Sequence, residues 1–581
     1  MDLHYSSYKV EIKNLKYITD DGRKFPRTAI VAFFNEKGEE SGTELFGNLE
    51  IGDIYNLIDN GAELNLDNCY IEDFSLSYYR QHSGIEKKQY VRLNSFSAKK
   101  AFFEAHLATD FTFADFGDSG VSFEESQFAK GRVLFNNAKF GKGDVSFSGI
   151  FVRDGHIEFT GSAFGDGDFI FKNVIVKDGL KDFQDITFGA GEVTFANSEF
   201  NSGDLLFINT HFGEGKFIFK ITRITSGRVD FHYSTFGNGD VVFERAEFGD
   251  SRVDFRAVDF GDGRVNFNRS IFGNGDITFE GATFEGSRFF FKRVSMGIGN
   301  KDFSLMEMKE AEIDFEKTEF GNGALSFNTS KFKVLSLRSC HLDHYVDLRI
   351  AGAEELDLSD SIVRDIVDLE PYNADVNIRI LNLSGMRLLG KLYLDWMRNN
   401  CKEAILEQES TDLQMKAEQF RILKENYNVT GKYDDEDRAY VMFKRLEAKA
   451  VLIESRKTRK GFNLLASYLN FGFRWLVFDA AGQYATNPVR VLVSMGVSYI
   501  VFSLIYLFEM LFTRADIIAS VNDNLSQVAR AFYHSAITFL TIGYGDHYPF
   551  GAIRWMSGIE GFVGLFLMSY FTVAFVRKIL R

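Results

Sequence analysis

Residues 229–260 run VDFHYSTFGNGDVVFERAEFGDSRVDFRAVDF, and phenylalanine returns in them every twelve residues. The same recurrence extends from Phe111 to Phe327, at nineteen positions without an exception. An apolar or small residue usually stands two places before each phenylalanine, and a second apolar residue usually stands five places after it. Inward-pointing residues two apart indicate short β-strands, and triplets such as Gly237-Asn238-Gly239 supply positive φ at the corners. Short strands with regular corners predict a β-solenoid.

The length of one coil follows from the residues beside these phenylalanines. A coil of twelve residues would be too thin to hold stacked rings. Basic residues follow members of the series that are separated by multiples of 24: Lys172, Lys220, Arg245, Arg269, Lys292 with Arg293, and Lys317. We therefore predict a four-sided coil of about 24 residues with a basic column along one side. The column is either a site for an anion or partner, or a solvated ladder that discourages side-by-side association.

Two five-residue segments, Gly281-Ala282-Thr283-Phe284-Glu285 and Asn137-Ala138-Lys139-Phe140-Gly141, have a small residue two places before a central phenylalanine. In this they resemble the pentapeptide-repeat proteins, although the spacing here alternates between five and seven residues. The resemblance implies a four-sided, right-handed β-helix. We place this solenoid at residues 96–396, after a small β-rich cap at residues 1–95.

The pattern changes to helical spacing in residues 397–486, which we predict to form an α-helical linker. Apolar residues recur at three- and four-residue intervals on both sides of a break at residues 428–434, which predicts a helical hairpin over residues 410–455. The stretch from Phe462 to Phe478 contains Trp475 and Arg474, as is typical of a helix at a membrane interface.

Two long apolar segments follow. Val491 to Phe508 contains no charge, and Trp555 to Val576 is interrupted only by Glu560. Both are long enough to span a bilayer, so we predict transmembrane helices at residues 489–512 and 553–576. Basic residues precede the first segment and follow the second, which places both termini of a multi-pass protein in the cytosol. The charged N-terminus lacks the apolar run of a signal peptide, and we expect the cell membrane (inner or plasma) as the location.

The segment between the two spans contains a short apolar helix, predicted at residues 525–540, and then Thr541-Ile542-Gly543-Tyr544-Gly545-Asp546. The two glycines let the backbone direct its carbonyls toward one axis, where rings of carbonyl oxygens from four loops replace the water around K⁺. The pore helix directs its carbonyl end toward the cavity, which favours a cation there. We assign residues 541–546 as the selectivity filter.

The arrangement of helix, short helix, filter and helix resembles the two-transmembrane potassium channels, over the last hundred residues. The resemblance implies an all-α pore domain at residues 487–581, a homotetramer, and K⁺ coordinated by Thr541, Ile542, Gly543 and Tyr544. Gly561 and Gly564 are candidates for the gating hinge, although either glycine can instead permit close helix packing.

His534 and Glu560 are candidates for supporting the filter. His534 lies in the pore helix where we expect it to brace Tyr544, with pH sensing as the alternative. An intramembrane carboxylate is a functional candidate, but a hydrogen bond from Glu560 to the back of the pore helix is the simpler expectation.

Together these features predict a tetrameric, potassium-selective channel for passive K⁺ transport, whose cytosolic solenoid regulates it or serves as a scaffold. One alternative is a membrane-tethered pentapeptide-repeat scaffold or binding protein, with an acidic rod that imitates duplex DNA. The other is a non-selective cation channel. No paired carboxylates, nucleophile elbow or phosphate loop favours an enzyme.

The composition limits the partners. A net charge of −15 argues against binding of nucleic acid, and three separated cysteines support neither a disulfide framework nor a zinc site. We expect no cofactor other than permeant K⁺, and as partners K⁺, membrane lipid, the other subunits and an unidentified cytosolic ligand or protein at the solenoid. Gating signals are expected to reach the pore through the hairpin, the interfacial helix and the first span, because the chain ends soon after the second.

Overall fold

The computed structural model describes residues 5–19, 21–286, 288–371, 377–521 and 524–580. The chain divides into two compact units, Met1–Gln408 and Glu409–Arg581, which are described separately. The first unit is a β-solenoid of about 14 turns, and the second unit is helical. The multidomain fold predicted from the sequence is therefore confirmed.

The solenoid has four sides, each a column of short parallel strands. Side A holds Glu63–Asn65, Asn94–Ser97, Val121–Ser122, Val145–Ser146, Phe169–Ile170, Val193–Thr194, Phe217–Ile218, Val241–Val242, Val265–Asn266, Arg288–Phe290, Glu307–Asp314, Lys331–Ser336, Gly352–Asp357 and Asn377–Asn382. Side B holds Phe102–Asp110, Gln127–Leu134, Phe151–Val152, Ile175–Val176, Glu199–Phe200, Arg223–Ile224, Ile271–Phe272, Ser295–Met296, His341–Leu342, Ile362–Val363 and Arg387–Leu388. The first two strands of side B continue into side C.

Side C holds Ile157–Glu158, Lys181–Asp182, Leu205–Leu206, Arg228–Asp230, Arg252–Asp254, Ile277–Thr278, Lys301–Asp302, Leu325–Ser326, Val346–Asp347, Ile366–Asp368 and Lys391–Tyr393. Side D holds Val91–Arg92, Ala114–Asp115, Lys139–Phe140 and Ala163–Phe164, and single parallel bridges extend it. Each coil therefore pairs only with the coils before and after it.

The register confirms the predicted coil length. On side A, Val145 pairs with Phe169 and Phe169 pairs with Val193, so each step is twice the twelve-residue phenylalanine interval. Inside the coil the rings stack at the same interval, with 5.3 Å between the centroids of Phe171 and Phe195 and 5.9 Å between those of Phe195 and Phe219. Parallel backbone pairing and a continuous phenylalanine stack thus impose one period.

We expected glycine at the corners mainly because it allows positive φ, but the structure shows a second reason. A methyl group on Gly215 would overlap the backbone carbonyl oxygen of Gly191 in the preceding coil. Glycine is needed there for close approach of stacked backbones. Many left-handed corner residues are not glycine; Asn197, Arg245 and Arg269 have φ of 57°, 58° and 61°.

The regular period shortens near the C-terminal end of the solenoid. The step on side C from Leu325 to Val346 is shorter than the step before it, from Lys301 to Leu325. Lys331–Ser336 runs without interruption where earlier coils turn through a Gly-x-Gly corner, and it pairs with both ends of Glu307–Asp314 across a register shift. The pairing interval falls from 24 residues at Met308–Phe332 to 22 at Ile313–Leu335. It falls again to 21 at Leu325–Val346, so the coil shortens at two of its corners.

The N-terminal residues are part of the first unit. They form Ser7–Lys13, Tyr17–Ile18, Lys24–Phe25, Thr28–Phe34, Glu40–Asn48 and Cys69–Glu72, with helices α1 (Ile51–Asp59) and α2 (Leu76–His82). Tyr5, Phe33 and Phe46 pack with Phe102 and Phe151 in one apolar cluster. Side A already begins at Glu63–Asn65, so residue 95 does not separate a cap from the solenoid.

Some residues of the predicted basic column form ion pairs with acidic side chains. Lys220 lies 3.2 Å from a carboxylate oxygen of Glu244, and Lys292 contacts Asp314 and Glu316 at 2.7 and 3.1 Å. Arg245, Arg269, Arg293 and Lys317 occupy successive exposed corners. The column is therefore partly neutralised within the solenoid itself.

After α3 (Cys401–Leu406) at the end of the first unit, the second unit contains α4 (Leu413–Thr430), α5 (Tyr433–Thr458), α6 (Phe462–Arg474), α7 (Pro488–Phe512), α8 (Gln527–Phe539) and α9 (Ile553–Ile579). A π-helical segment, Trp475–Ala480, extends α6. Two short strands, Asp516–Ala519 and His547–Phe550, pair antiparallel on either side of α8 in sequence. Helices α4 and α5 are the predicted hairpin.

Candidate ion pathway

Helices α7 and α9 are the two helices in the described part of the chain that are long and apolar enough to span a membrane. The side chain of Asn487 accepts a hydrogen bond from the amide of Arg490 at 3.0 Å, and Pro488 begins α7. This N-cap with proline at the first helical position leaves few unsatisfied amides at the start of α7.

Helix α8 is too short to cross a bilayer and packs between the two long helices. The hydroxyl of Ser526 accepts a hydrogen bond from the amide of Ala529 and caps it. Tyr506 and Met510 of α7 pack with Ala531 of α8 and Ile553 of α9 in one apolar cluster. The C-terminal end of α8 therefore leads directly into residues 541–546, held against both long helices.

The backbone of residues 541–545 alternates in handedness. Thr541, Gly543 and Gly545 have φ of 56°, 58° and 76°, whereas Ile542 and Tyr544 are not left-handed. Such alternation rotates successive peptide planes so that their carbonyls can face one side. The side chains of Ile542 and Tyr544 are 46% and 70% exposed, so little of this chain covers them.

Asp546 anchors the end of this loop. Its carboxylate accepts a hydrogen bond from the hydroxyl of Tyr533 in α8 at 2.8 Å, and its carbonyl accepts one from the amide of Ser520 at 2.8 Å. The strand pair Asp516–Ala519 and His547–Phe550 begins at this point. The loop is therefore tied to both the pore helix and the segment that precedes it.

Glu560 connects all three helices. Its side chain is fully buried, and its carboxyl group accepts hydrogen bonds from the hydroxyls of Ser535 in α8 and Tyr506 in α7. The hydroxyl of Ser535 also lies 3.2 Å from the carbonyl oxygen of Tyr499. A buried carboxyl group with two hydroxyl donors holds α9 against the back of the pore helix.

His534 lies in α8 and contacts both long helices. Its Nε2 atom is 2.9 Å from the hydroxyl of Ser557, and its ring centroid lies 5.3 Å from that of Tyr506. The preceding residue, Tyr533, contacts the loop of residues 541–546 through Asp546. Adjacent residues of a helix face different surroundings, so Tyr533 and His534 contact different parts of the chain, and the bracing of Tyr544 by His534 stays a prediction.

The two candidate hinge glycines differ in their surroundings. A methyl group on Gly564 would overlap the carbonyl oxygen of Phe539 at the end of α8, whereas a methyl group on Gly561 would meet nothing within 4 Å. Helix α9 continues through both positions. Close packing against the pore helix is therefore a sufficient reason for glycine at 564.

A family model described as ion channel matches residues 494–581. Residues 494–581 form an ion-channel domain. No curated protein and no solved structure matches the chain. The matched range covers most of α7, the loop with α8, and α9, so the contacts among these helices belong to one ion-channel domain in a membrane protein.

The elements before the ion-channel domain contact both of its long helices. The hydroxyl of Tyr570 in α9 donates to the carbonyl of Phe478 at 2.9 Å and accepts from the amide of Ala485 at 2.8 Å. Between these points Gln483, Tyr484 and Ala485 are all left-handed. We call residues 481–487, which connect the π-helical segment to α7, the elbow.

Proposed function

We propose that the chain is a potassium-selective channel in which four copies surround one pore and residues 541–545 form the selectivity filter. The observation that carries this proposal is the alternating backbone of Thr541, Gly543 and Gly545 at the end of a pore helix. Carbonyl oxygens aligned in this way can replace the hydration shell of K⁺.

The exposed side chains of this region support a tetramer. One loop cannot enclose an ion, and ion channels of this architecture line the filter with several copies. Ile542 and Tyr544 are exposed in the single chain, although apolar side chains are stable when buried. Neighbouring copies would cover them and hold the filter at a fixed width.

The roles of the remaining residues follow from this proposal. Glu560 and Tyr533 would position the filter, one through Ser535 and the other through Asp546. Gly564 would let α9 approach the pore helix. The basic residues at both ends of the helix pair favour cytosolic termini in the cell membrane, and permeant K⁺ would be the only ion that the pore requires.

Reversal potentials of the purified full-length protein in planar bilayers test the proposal. With mainly K⁺ on one side and mainly Na⁺ on the other, at equal total concentration, we expect a reversal potential near the K⁺ equilibrium potential. A value near zero would show a non-selective cation channel instead. Absence of any unitary current from correctly assembled protein would favour the alternative of a tethered scaffold.

A further inference from the structure

The C-terminal end of α9 is attached to the hairpin by ion pairs. Arg577 lies 2.8 Å from a carboxylate oxygen of Asp437, and Lys578 lies 2.9 Å from the other oxygen of the same group. Lys578 also lies 2.9 Å from Asp434. We call Asp434, Asp437, Arg577 and Lys578 the hairpin latch.

The centre of the hairpin latch is buried. The side chain of Asp437 is only 8% exposed, and the guanidinium of Arg577 lies 4.9 Å from the centroid of the Tyr440 ring. Removing one partner of a buried ion pair leaves an uncompensated charge and is strongly unfavourable. The outer pair is solvated, with Asp434 85% exposed, and the ammonium of Lys578 lowers the pKa of that carboxyl.

Both sets of charges also lie at the helix ends that favour them. Asp434 and Glu436 lie in the first turn of α5, and Arg577 and Lys578 lie in the last turn of α9. Acidic groups are stabilised at a helix N-terminus and basic groups at a C-terminus. Opening the latch therefore leaves each helix with favourable charges at its own end, so the latch can open without unfolding either helix.

Helix α5 has a second attachment near the start of α7. Arg445 donates three hydrogen bonds to the carboxylate of Asp479 in the π-helical segment, at 2.8, 2.9 and 3.2 Å. The ring of Tyr440 lies 6.4 Å from that of Tyr484 in the elbow. Helix α5 thus contacts the end of α9 and the segment that leads into α7.

The elbow is held in an unfavourable backbone conformation. Gln483, Tyr484 and Ala485 have φ of 49°, 58° and 63°, a left-handed turn that residues with a Cβ atom rarely adopt in succession. Tyr570 of α9 bonds to both sides of this turn. A strained segment that depends on contacts from another helix changes conformation when that helix moves.

We propose that the hairpin α4–α5 gates the ion-channel domain directly, by holding or releasing the end of α9 through the hairpin latch. The latched arrangement is one gating state and the released arrangement is the other. This route differs from the one expected from the sequence, in which signals reach the pore only through the first span. The proposal requires an ion channel but does not depend on selectivity for K⁺.

A double-mutant cycle in the full-length protein tests this inference. Single-channel open probability would be recorded in planar bilayers for Asp437→Asn, Lys578→Gln and the double variant. We expect each single variant to shift the ratio of open to closed times by about 5- to 150-fold, the range of typical coupling between sites. The double variant should shift it no further than the larger single effect, because one release suffices.

Two exposed residues of α5 provide matched controls. Glu454→Gln and Lys457→Gln each remove one charge from the same helix outside the latch, and we expect an unchanged open probability. Unchanged gating in the latch variants, or strictly additive effects in the double variant, would overturn the proposal. So would a changed reversal potential at an unchanged open probability, which would place the effect in the filter.

A second cycle covers the case in which Asp437→Asn does not assemble. Asp434 is solvated, so Asp434→Asn should leave folding intact. Combined with Lys578→Gln, it should give a smaller shift in open probability with the same lack of additivity. Additive effects there would contradict the latch, whatever the outcome for Asp437.

Discussion

The solenoid and the ion-channel domain bury their side chains in opposite ways. Phe171 and Phe219 in the solenoid are fully buried by the coils above and below them, whereas Tyr544 in the loop after α8 is 70% exposed. The solenoid completes its core with its own chain. The ion-channel domain leaves Ile542 and Tyr544 exposed, and in the proposed tetramer other copies would cover them.

The two regions also use left-handed residues differently. In the solenoid they recur at successive corners with many residue types, including Asn197 and Arg245. In the filter loop they alternate within five residues, and glycine occupies two of the three positions. Repetition lets stacked neighbours stabilise an unfavourable corner. A loop that occurs once per chain depends more strongly on the identity of each residue.

The largest effect is expected for Gly543→Ala. Gly543 has a φ of 58°, where a Cβ atom is unfavourable, so the carbonyl alignment should be lost and conduction abolished in bilayer recordings. The solenoid should keep its circular dichroism spectrum. Gly558→Ala, at a helical position with nothing within 4 Å, is the control, and selective K⁺ current through Gly543→Ala would exclude the filter assignment.

Phe219→Ala tests the buried core of the solenoid. Loss of a fully buried ring from the stack should reduce the local free energy of unfolding by about 3–5 kcal/mol, because transfer energy is lost and a cavity remains. Hydrogen exchange should accelerate in the neighbouring coils, with ion selectivity unchanged. Tyr233→Ala, whose side chain is 64% exposed, should have little effect. A similar response in both variants would contradict the stacked core.

Lys181 should give the solenoid a pH dependence. Its ammonium is buried and donates to the carbonyls of Asn201 and Ser202 at 2.8 and 3.0 Å. Burial lowers its pKa from 10.5 to about 8. Between these values the unfolded chain binds more protons than the folded one, so stability rises with pH across this window.

The measurement is the free energy of unfolding of the wild type minus that of Lys181→Met, at several pH values. This difference should rise by up to about 3 kcal/mol between pH 8 and pH 10.5, at about 1.4 kcal/mol for each unit of pKa. Lys172→Met, at an exposed position of the same solenoid, is the control. A difference that stays flat or falls with pH would contradict the buried ammonium.

The smallest expected effects are changes in stability on replacing Gly561 or Gly564 of α9, and they should differ between the two positions. Gly564→Ala should destabilise the detergent-solubilised protein by about 1–3 kcal/mol, as overpacking against a backbone atom does. Gly561→Ala has open space and should be neutral or stabilise the helix by about 1 kcal/mol. Thermal unfolding monitored by fluorescence measures both. Equal destabilisation by the two variants would argue for a shared bending role.

Repetition explains why the solenoid could be predicted from sequence. Backbone pairing forces equivalent residues of successive coils onto the same side. Phe171, Phe195 and Phe219 therefore repeat the same sequence spacing, and the repeat reveals the coil length. The sequence predicted glycine corners and explained them by positive φ. That explanation is incomplete, because a Cβ atom at Gly215 would clash with the backbone of Gly191 in the preceding coil.

The ion-channel domain was predictable where a local pattern suffices. Helices α7 and α9 follow from apolar length, whereas the role of residues 541–546 as a filter stays a prediction from their residue order. The strand pair Asp516–Ala519 and His547–Phe550 has too few residues for a periodic signal. The contacts of the hairpin latch join residues that are far apart in the chain, and no spacing rule connects Asp437 to Arg577.

The stacking of identical coils also has a consequence for how such a rod can change in length. A deletion or duplication of one whole coil, cut at equivalent points on the same side, restores every backbone pairing and leaves both ends of the rod intact. Each such event changes the length by one strand spacing, about 4.8 Å. The length therefore changes in whole steps. An insertion of any other size must form a loop at a corner, and a smaller deletion must shorten corners, as between Leu325 and Val346.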